Sequence, residues 1–203
     1  MVRRVAIRET DGRQNWVSVT ACLTKHCFLH NSTLFSVNMP SDMYPLYLPS
    51  LSEREAVADA LSRAGIGCDQ NDLELFDSAW AGEDVSFEIH NDNKIVMSSL
   101  SDIRKNILDV VGPMDTTHNT GTVRVNLKDG ANTATLTAIS TAQHSPPGTG
   151  RDPNGLKYTS GGEYAADLVK DESGVWRIKK LVLRVVWTQG DSSFIWSKSE
   201  AAV

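Results

Sequence analysis

The chain has 203 residues, 40% of them hydrophobic and 22% charged, with a formal charge of −5; this is the profile of one ordinary globular domain, long enough to bury a sizeable core. Residues 1–38 hold five Lys/Arg against two acids, whereas residues 39–203 hold fifteen against twenty-three, a sign that argues against nucleic-acid binding by the main body. The longest apolar stretch, Leu181 to Val186, is interrupted by Arg184 and falls far short of a bilayer span.

Residues 1–38 lack sustained periodicity and precede Met39-Pro40-Ser41-Asp42-Met43, with further prolines at Pro45 and Pro49. Residues 1–49 therefore read as a poorly ordered or loosely packed extension. An Arg-rich organelle-targeting leader is the alternative, carried by Arg3, Arg4, Arg8 and Arg13, but Glu9 and Asp11 spoil its acid-poor character. Asn31-Ser32-Thr33 matches a glycosylation sequon, read as chance because no secretory signal peptide precedes it. Cys22, Cys27 and Cys68 form neither a CxxC pair nor an even set, so a disulfide framework and a zinc knuckle are both unexpected and a reducing compartment, the cytoplasm, fits best.

Ser52 and Glu55 form a capping-box pair, after which Ala56, Val57, Ala60, Leu61 and Ala64 recur at helical spacing until Gly65 and Gly67, where the first helix is predicted to end. Asp69 or Asn71 can cap a second helix, Asp72 to about Trp80, with Leu73, Phe76 and Trp80 on one face. A short strand, Asp84 to His90, turns at Asn91-Asp92-Asn93 into Lys94 to Met97, and a third helix runs from about Leu100 to Val111, stopping before Gly112-Pro113. Strands follow: Asn119 to Leu127 with Val123, Val125 and Leu127 on one face, a turn at Asp129-Gly130, then Asn132 to His144. A Pro- and Gly-rich loop over 145–160 leads to Gly161 to Lys170 and a long last strand, Val175 to Trp187. Helices first and meandering strands after predict an α+β domain over residues 50–191, a curved antiparallel sheet closed on one side by the helices into a cone, with residues 192–203 as a C-terminal tail.

An imidazole beside a carboxylate is the simplest device for moving a proton near neutral pH, so Asp69, His118 and His144 are the candidate catalytic residues. Alternation along its strand puts His144 on the face of Leu136, Ala138 and Ala142, pointing inward. His118, just before the preceding strand, could meet it at one end of the sheet, with Asp69 folded over from the helix junction. The plainer readings are a helix cap for Asp69 and hydrogen-bonded bystanders for the histidines. His26, His30 and His90 read as surface residues, and no HxH or HxxxH spacing appears, so no metal is expected. GxSxG, GxxxxGK[ST] and GxGxxG motifs are absent as well. Cys68 reads as a small residue of the pocket wall rather than a nucleophile, because a neighbouring carboxylate raises a thiol's pKa.

Ile66-Gly67-Cys68-Asp69, Leu73 to Trp80, Thr117-His118, Gly161-Gly162-Glu163-Tyr164 and Gly174-Val175-Trp176-Arg177-Ile178 with Lys180-Leu181 together resemble the SnoaL-like superfamily with the nuclear-transport-factor-2-like (NTF2-like) fold. Scytalone dehydratase and the hexachlorocyclohexane dehydrochlorinase are the nearest in pattern. The resemblance spans about residues 50–191 and implies a cone with a deep pocket, no cofactor, and an Asp–His pair whose histidine removes a proton to start an elimination. It places Asp69 at the family's aspartate, His118 at its base and His144 at the second histidine of the scytalone dehydratase branch. Asp167 stands where that branch has an asparagine on the substrate, Ala165 where it has a serine, Cys68 in place of a tyrosine that helps hold a water, and Phe87 near a second such tyrosine. Phe87, Trp80 and Tyr164 are candidates for the pocket lining. Arg184 and Trp187 lie on the last strand, where relatives place pocket residues, although the residues of a strand face alternate sides.

The function expected is a cofactor-independent lyase of the dehydratase type, or an isomerase, on a small, largely apolar molecule of polyketide or secondary-metabolite kind. His118 would abstract the proton, Asp69 would support the imidazolium, and His144 would protonate the leaving hydroxyl or polarise a carbonyl. A non-catalytic binding or dimerisation module of the same fold is the alternative, since fold alone does not license chemistry. A homo-oligomer, dimer or trimer, is expected through the threonine-rich face of Thr133, Thr135, Thr137, Ile139 and Thr141.

Overall fold

The computed structural model describes residues 3–8, 14–19 and 43–196, and the chain divides into two compact units, Met1–Met39 and Pro40–Val203. In the first unit β1 (Arg3–Arg8) and β2 (Gln14–Val19) pair as an antiparallel hairpin with Val5 opposite Val17. The sequon, Cys22, Cys27, His26, His30 and most of the expected extension lie outside the described residues.

In the second unit α1 (Glu53–Asp69) starts at the predicted capping box: the Ser52 hydroxyl accepts from the Glu55 N–H, and the Glu55 carboxylate accepts from the Ser52 N–H at 2.7 Å. The helix runs past Gly65 and Gly67 instead of ending there. A Cβ at position 67 would sit 2.4 Å from the backbone nitrogen of Phe76. Glycine there lets the next helix touch the α1 backbone, a contact that offsets its helix-propensity cost of about 1 kcal/mol. That next helix, α2 (Leu73–Ser78), is capped by Asp72, whose carboxylate accepts from the Leu75 N–H at 3.0 Å. Phe76 and Trp80 are buried as expected, but Leu73 is exposed.

The third helical run is divided into α3 (Leu100–Ile103), a π-helical turn (Arg104–Leu108) and α4 (Asp109–Val111). The wider turn admits one extra residue, and both Ile107 and Leu108 then face inward.

Six strands form the main sheet in the order β4-β3-β8-β7-β6-β5: β3 (Ser86–His90), β4 (Lys94–Met97), β5 (Asp115–Asn126), β6 (Thr133–Ser145), β7 (Tyr158–Lys170) and β8 (Trp176–Gly190). Every neighbouring pair is antiparallel except β3 and β8, which run parallel. The antiparallel pairing expected from sequence holds at every seam but that one. No hairpin joins these two strands, so nothing forces them to run in opposite directions.

Register shifts bend the sheet at three places: between Gly121 and Arg124 in β5, opposite Asp167/Leu168 in β8, and opposite Gly161/Gly162 in β8. Each changes which side of its strand faces inward. In β5 the inward residues are Thr116, His118 and Thr120 before the shift and Val125 after it, which leaves Val123 exposed rather than on the face of Val125. On β6 the alternation is unbroken: Ala134, Leu136, Ala138, Ser140, Ala142 and His144 are buried, and the threonine-rich face opposite is exposed.

The core between sheet and helices is centred on Trp176, Phe76, Leu75, Ile103, Leu136, Leu168 and Ile178. Arg63 is buried beside it; its guanidinium donates to the carbonyls of Ser78 and Trp176 and to Asp59, fastening α1 to α2 and β8. No helix among the described residues is long and apolar enough to cross a membrane.

Candidate active site

Asp69 is the last residue of α1, and because Asp72 caps α2, the Asp69 carboxylate has no capping duty. A carboxylate at a helix C-terminus faces the negative end of the dipole, a placement that costs about 0.3–1 kcal/mol. Donors from β5 offset it. The backbone N–H of His118 donates to Asp69 Oδ2 at 2.8 Å, and His118 Nδ1 lies 2.6 Å from Asp69 Oδ1. Both side chains are largely withdrawn from solvent, 12% exposed for Asp69 and 17% for His118. With the carboxylate held at two points and Nδ1 engaged, the ring leaves Nε2 for the cavity that His118 lines.

His118 sits inside β5 rather than before it, because pairing with β6 continues back to Asp115 opposite Ser145. The same register places Thr116 opposite His144, and the Thr116 hydroxyl lies 2.8 Å from His144 Nδ1. The rings of His118 and His144 meet edge to face at 5.3 Å, and Tyr158 stacks on His144 at 6.1 Å. Burial, reinforced by His118 alongside, holds the His144 pKa down at about 4, so His144 is a neutral imidazole near pH 7.

His118, His144 and Tyr158 line a cavity of about 120 Å³. Leu61, Ala64, Phe76, Trp80, Phe87, Ile89, Leu181, Leu183 and Val185 make it apolar; Ser140, Ser160, Tyr158 and Tyr164 add hydroxyls, and no Lys, Arg, Asp or Glu lines it among the described residues. Burial raises the pKa of the Tyr164 hydroxyl. Burial, with Asp69 next in sequence, pushes the Cys68 thiol up to about 12, which excludes a thiolate nucleophile at neutral pH. Among the described residues no three His, Cys, Asp or Glu side chains are grouped to hold a metal ion.

Of the residues singled out from sequence, Asp69 and His118 meet, His144 adjoins them, and Cys68, Trp80, Phe87 and Tyr164 line the cavity. Ala165, Asp167, Arg184 and Trp187 lie outside it. Ala165 and Arg184 border a separate groove with Glu163, which pairs with Arg184 at 2.6 Å. Asp167 is exposed, opposite Lys180. The Trp187 ring lies where a Cβ on Gly161 would point, 2.2 Å away, on the opposite face from the cavity-lining Ser160 and Gly162. Alternation accounts for Ala165 and Asp167, since Tyr164, Ala166 and Leu168 take the inward positions of β7. The shifts in β8 account for Arg184 and Trp187.

Sequence reasoning missed Ser140, Tyr158 and Ile195. Ser140 was within reach, lying on the alternation that placed His144. Tyr158 ends the Pro- and Gly-rich loop, and Ile195 belongs to α5 (Ser193–Trp196) inside the segment read as a tail; neither carries a periodic signal.

Comparison with known proteins bears on the family and the fold. Residues 49–182 match the model of the SnoaL-like domain. The chain is 37% identical over 144 residues, 70% of its length and 89% of the relative's, to the terrestric acid biosynthesis cluster protein E of Penicillium crustosum. Among solved structures, a scytalone dehydratase-like protein of Novosphingobium aromaticivorans superposes with a TM-score of 0.56 at 18% identity, covering 68% of this chain and 86% of that one. The hexachlorocyclohexane dehydrochlorinase LinA-type3 of Novosphingobium barchaimii does so with a TM-score of 0.55 at 17% identity, covering 68% and 90%. At such identities the structural likeness speaks for the fold, while the match over residues 49–182 speaks for the family: the chain belongs to the SnoaL-like domain family and has the NTF2-like fold.

Proposed function

We propose that the protein is a cofactor-independent lyase of the dehydratase type, or an isomerase, that acts on a small, uncharged, largely apolar molecule of secondary metabolism. The observation that carries this reading is the 2.6 Å contact between Asp69 Oδ1 and His118 Nδ1, with His118 lining an apolar cavity. His118 Nε2 takes a proton from a carbon next to an electron-withdrawing group, and Asp69 stabilises the imidazolium that forms. A base so positioned contributes about 10²–10⁴-fold in rate.

Of the two roles expected for His144, its low pKa favours the second: a neutral ring donates a hydrogen bond to a carbonyl, whereas protonating a leaving hydroxyl is left to the His118 imidazolium. The proton removed from carbon then departs with the hydroxide as water. Cavity walls that hold no Lys or Arg among the described residues give a substrate carboxylate or phosphate no fixed partner, and burying an unpaired charge costs several kcal/mol; this supports an uncharged guest. The curated relative's assignment to a terrestric acid biosynthesis cluster supports a secondary-metabolite substrate. Association through the exposed threonine-rich face of β6 belongs to the same reading, and a monomer mass by light scattering overturns that part.

The test is a panel of β-hydroxy ketones assayed in D2O. Abstraction at the α carbon shows as deuterium incorporation and dehydration as enone absorbance. Full turnover by both His118→Ala and Asp69→Asn refutes the mechanism.

A further inference from the structure

Beside the larger cavity lies a second, smaller hollow of about 50 Å³, walled by Ile95, Met97 and Val110 with Asn106 as its one polar side chain among the described residues. Three side chains face both spaces: Ile89 of β3, Ile107 of the π-helical turn and Ile195 of α5. Ile195 is 3% exposed although it sits on a helix of only four residues, which has little stability of its own. Its burial is therefore owed to the wall it completes.

We infer that Ile195, together with Ile107, is a specificity-determining wall that sets how long an alkyl chain the substrate can carry beyond its reacting ring. This rests on the reading of the larger cavity as the substrate chamber. An apolar cavity of about 150 Å³ accepts a benzene ring, so a chamber of about 120 Å³ takes at most one compact ring. A longer guest ends against Ile107 and Ile195. The hollow beyond, about 50 Å³, has room for roughly two or three further carbons. Truncating Ile195, which faces both spaces, joins them at the end of the chain and leaves Asp69, His118 and His144 in place.

The experiment measures dissociation constants of a homologous series of phenyl alkyl ketones, acetophenone to heptanophenone, by calorimetry, so that no turnover is needed. In the wild-type protein affinity rises about fourfold per methylene until the chain meets the wall, and then stops rising. In Ile195→Ala the rise continues for about two more carbons; in Ile195→Phe it stops earlier. Ile195→Val removes only one methyl and serves if the alanine variant does not fold; it moves the cut-off by about one carbon in the same direction. The same cut-off in folded Ile195→Ala (or Ile195→Val) and Ile195→Phe overturns the inference, as does a series that binds neither the wild type nor the variants. His118→Ala keeps the wild-type cut-off if the wall acts alone. A cut-off that moves with Ile195 while turnover survives Asp69→Asn and His118→Ala therefore retires the mechanism and keeps the wall, and the converse result does the opposite.

Discussion

Replacing Asp69 by asparagine isolates the carboxylate's contribution, because the side chain keeps its shape and loses one acceptor and its charge. In the native protein Oδ1 and Oδ2 each meet a donor on His118, the ring Nδ1 at 2.6 Å and the backbone N–H at 2.8 Å. Asparagine has one acceptor oxygen. If it serves Nδ1–H, the amide NH2 faces the backbone N–H, donor against donor. If it serves the backbone, the NH2 forces Nδ1 to accept, and the ring proton moves to Nε2, the atom that must receive the substrate's proton. Loss of the charge-assisted bond alone is worth about 1.5–3 kcal/mol, roughly 10- to 100-fold in rate. The wrong tautomer carries the loss toward the ~10⁴-fold seen when a serine protease's triad aspartate becomes asparagine. We expect kcat to fall about 10²–10⁴-fold. Stability should change less, since removing a negative charge from the helix C-terminus returns about 0.3–1 kcal/mol. The assay is initial-rate dehydration of the best β-hydroxy ketone by enone absorbance, with thermal denaturation alongside. Turnover within about threefold of wild type refutes the base assignment.

Three further outcomes are expected. His144 is neutral when folded, with its pKa lowered from 6.5 to about 4, so the unfolded chain binds that proton first as pH falls. The stability it contributes above pH 6.5 is lost between 6.5 and about 4, about 3 kcal/mol in all; urea unfolding across that range should show a shallower pH slope in His144→Gln, and equal slopes refute the assignment. In a Cys22→Ser, Cys27→Ser background, Cys68 with its thiol pushed up to about 12 should resist a disulfide reagent at pH 8 until the protein unfolds, and fast labelling of the native protein contradicts this. Gly67→Ala brings a Cβ within 2.4 Å of the Phe76 backbone nitrogen and should cost about 1–3 kcal/mol as α1 and α2 part; an unchanged urea midpoint refutes the close-contact account.

What could be read ahead of the structure follows local chemistry. The Ser52–Glu55 capping box, the Asn91-Asp92-Asn93 turn and the inward His144 rest on neighbouring residues or on unbroken alternation, and all three hold. The last strand defeats the same logic. Trp176 and Ile178 face inward on even numbers, the shift near Lys179 moves the inward set to Leu181, Leu183 and Val185, and the shift before Trp187 turns that ring out again. Counting by twos from Trp176 would aim Arg184 into the cavity, where it does not lie. A bulge depends on two strands meeting across the sheet, so no window of one strand announces it. The length of α1 was hidden for a similar reason: Gly67 breaks a helix in isolation but belongs in one when Phe76 presses against it. Asp69 needed β5, 49 residues downstream, to become more than a candidate cap.

The parallel seam between β3 and β8 bears on how the chain is made. Residues 86–90 emerge from a ribosome well before residues 180–184, their partners across the seam. Until then the β3–β4 hairpin keeps one edge of main-chain donors and acceptors unmatched, with Phe87 and Ile89 uncovered. Such an edge invites pairing with a neighbouring nascent chain. Chaperone dependence during synthesis should therefore be set by how soon the last strand arrives, and a circular permutant that delivers β8 first should depend on chaperones less.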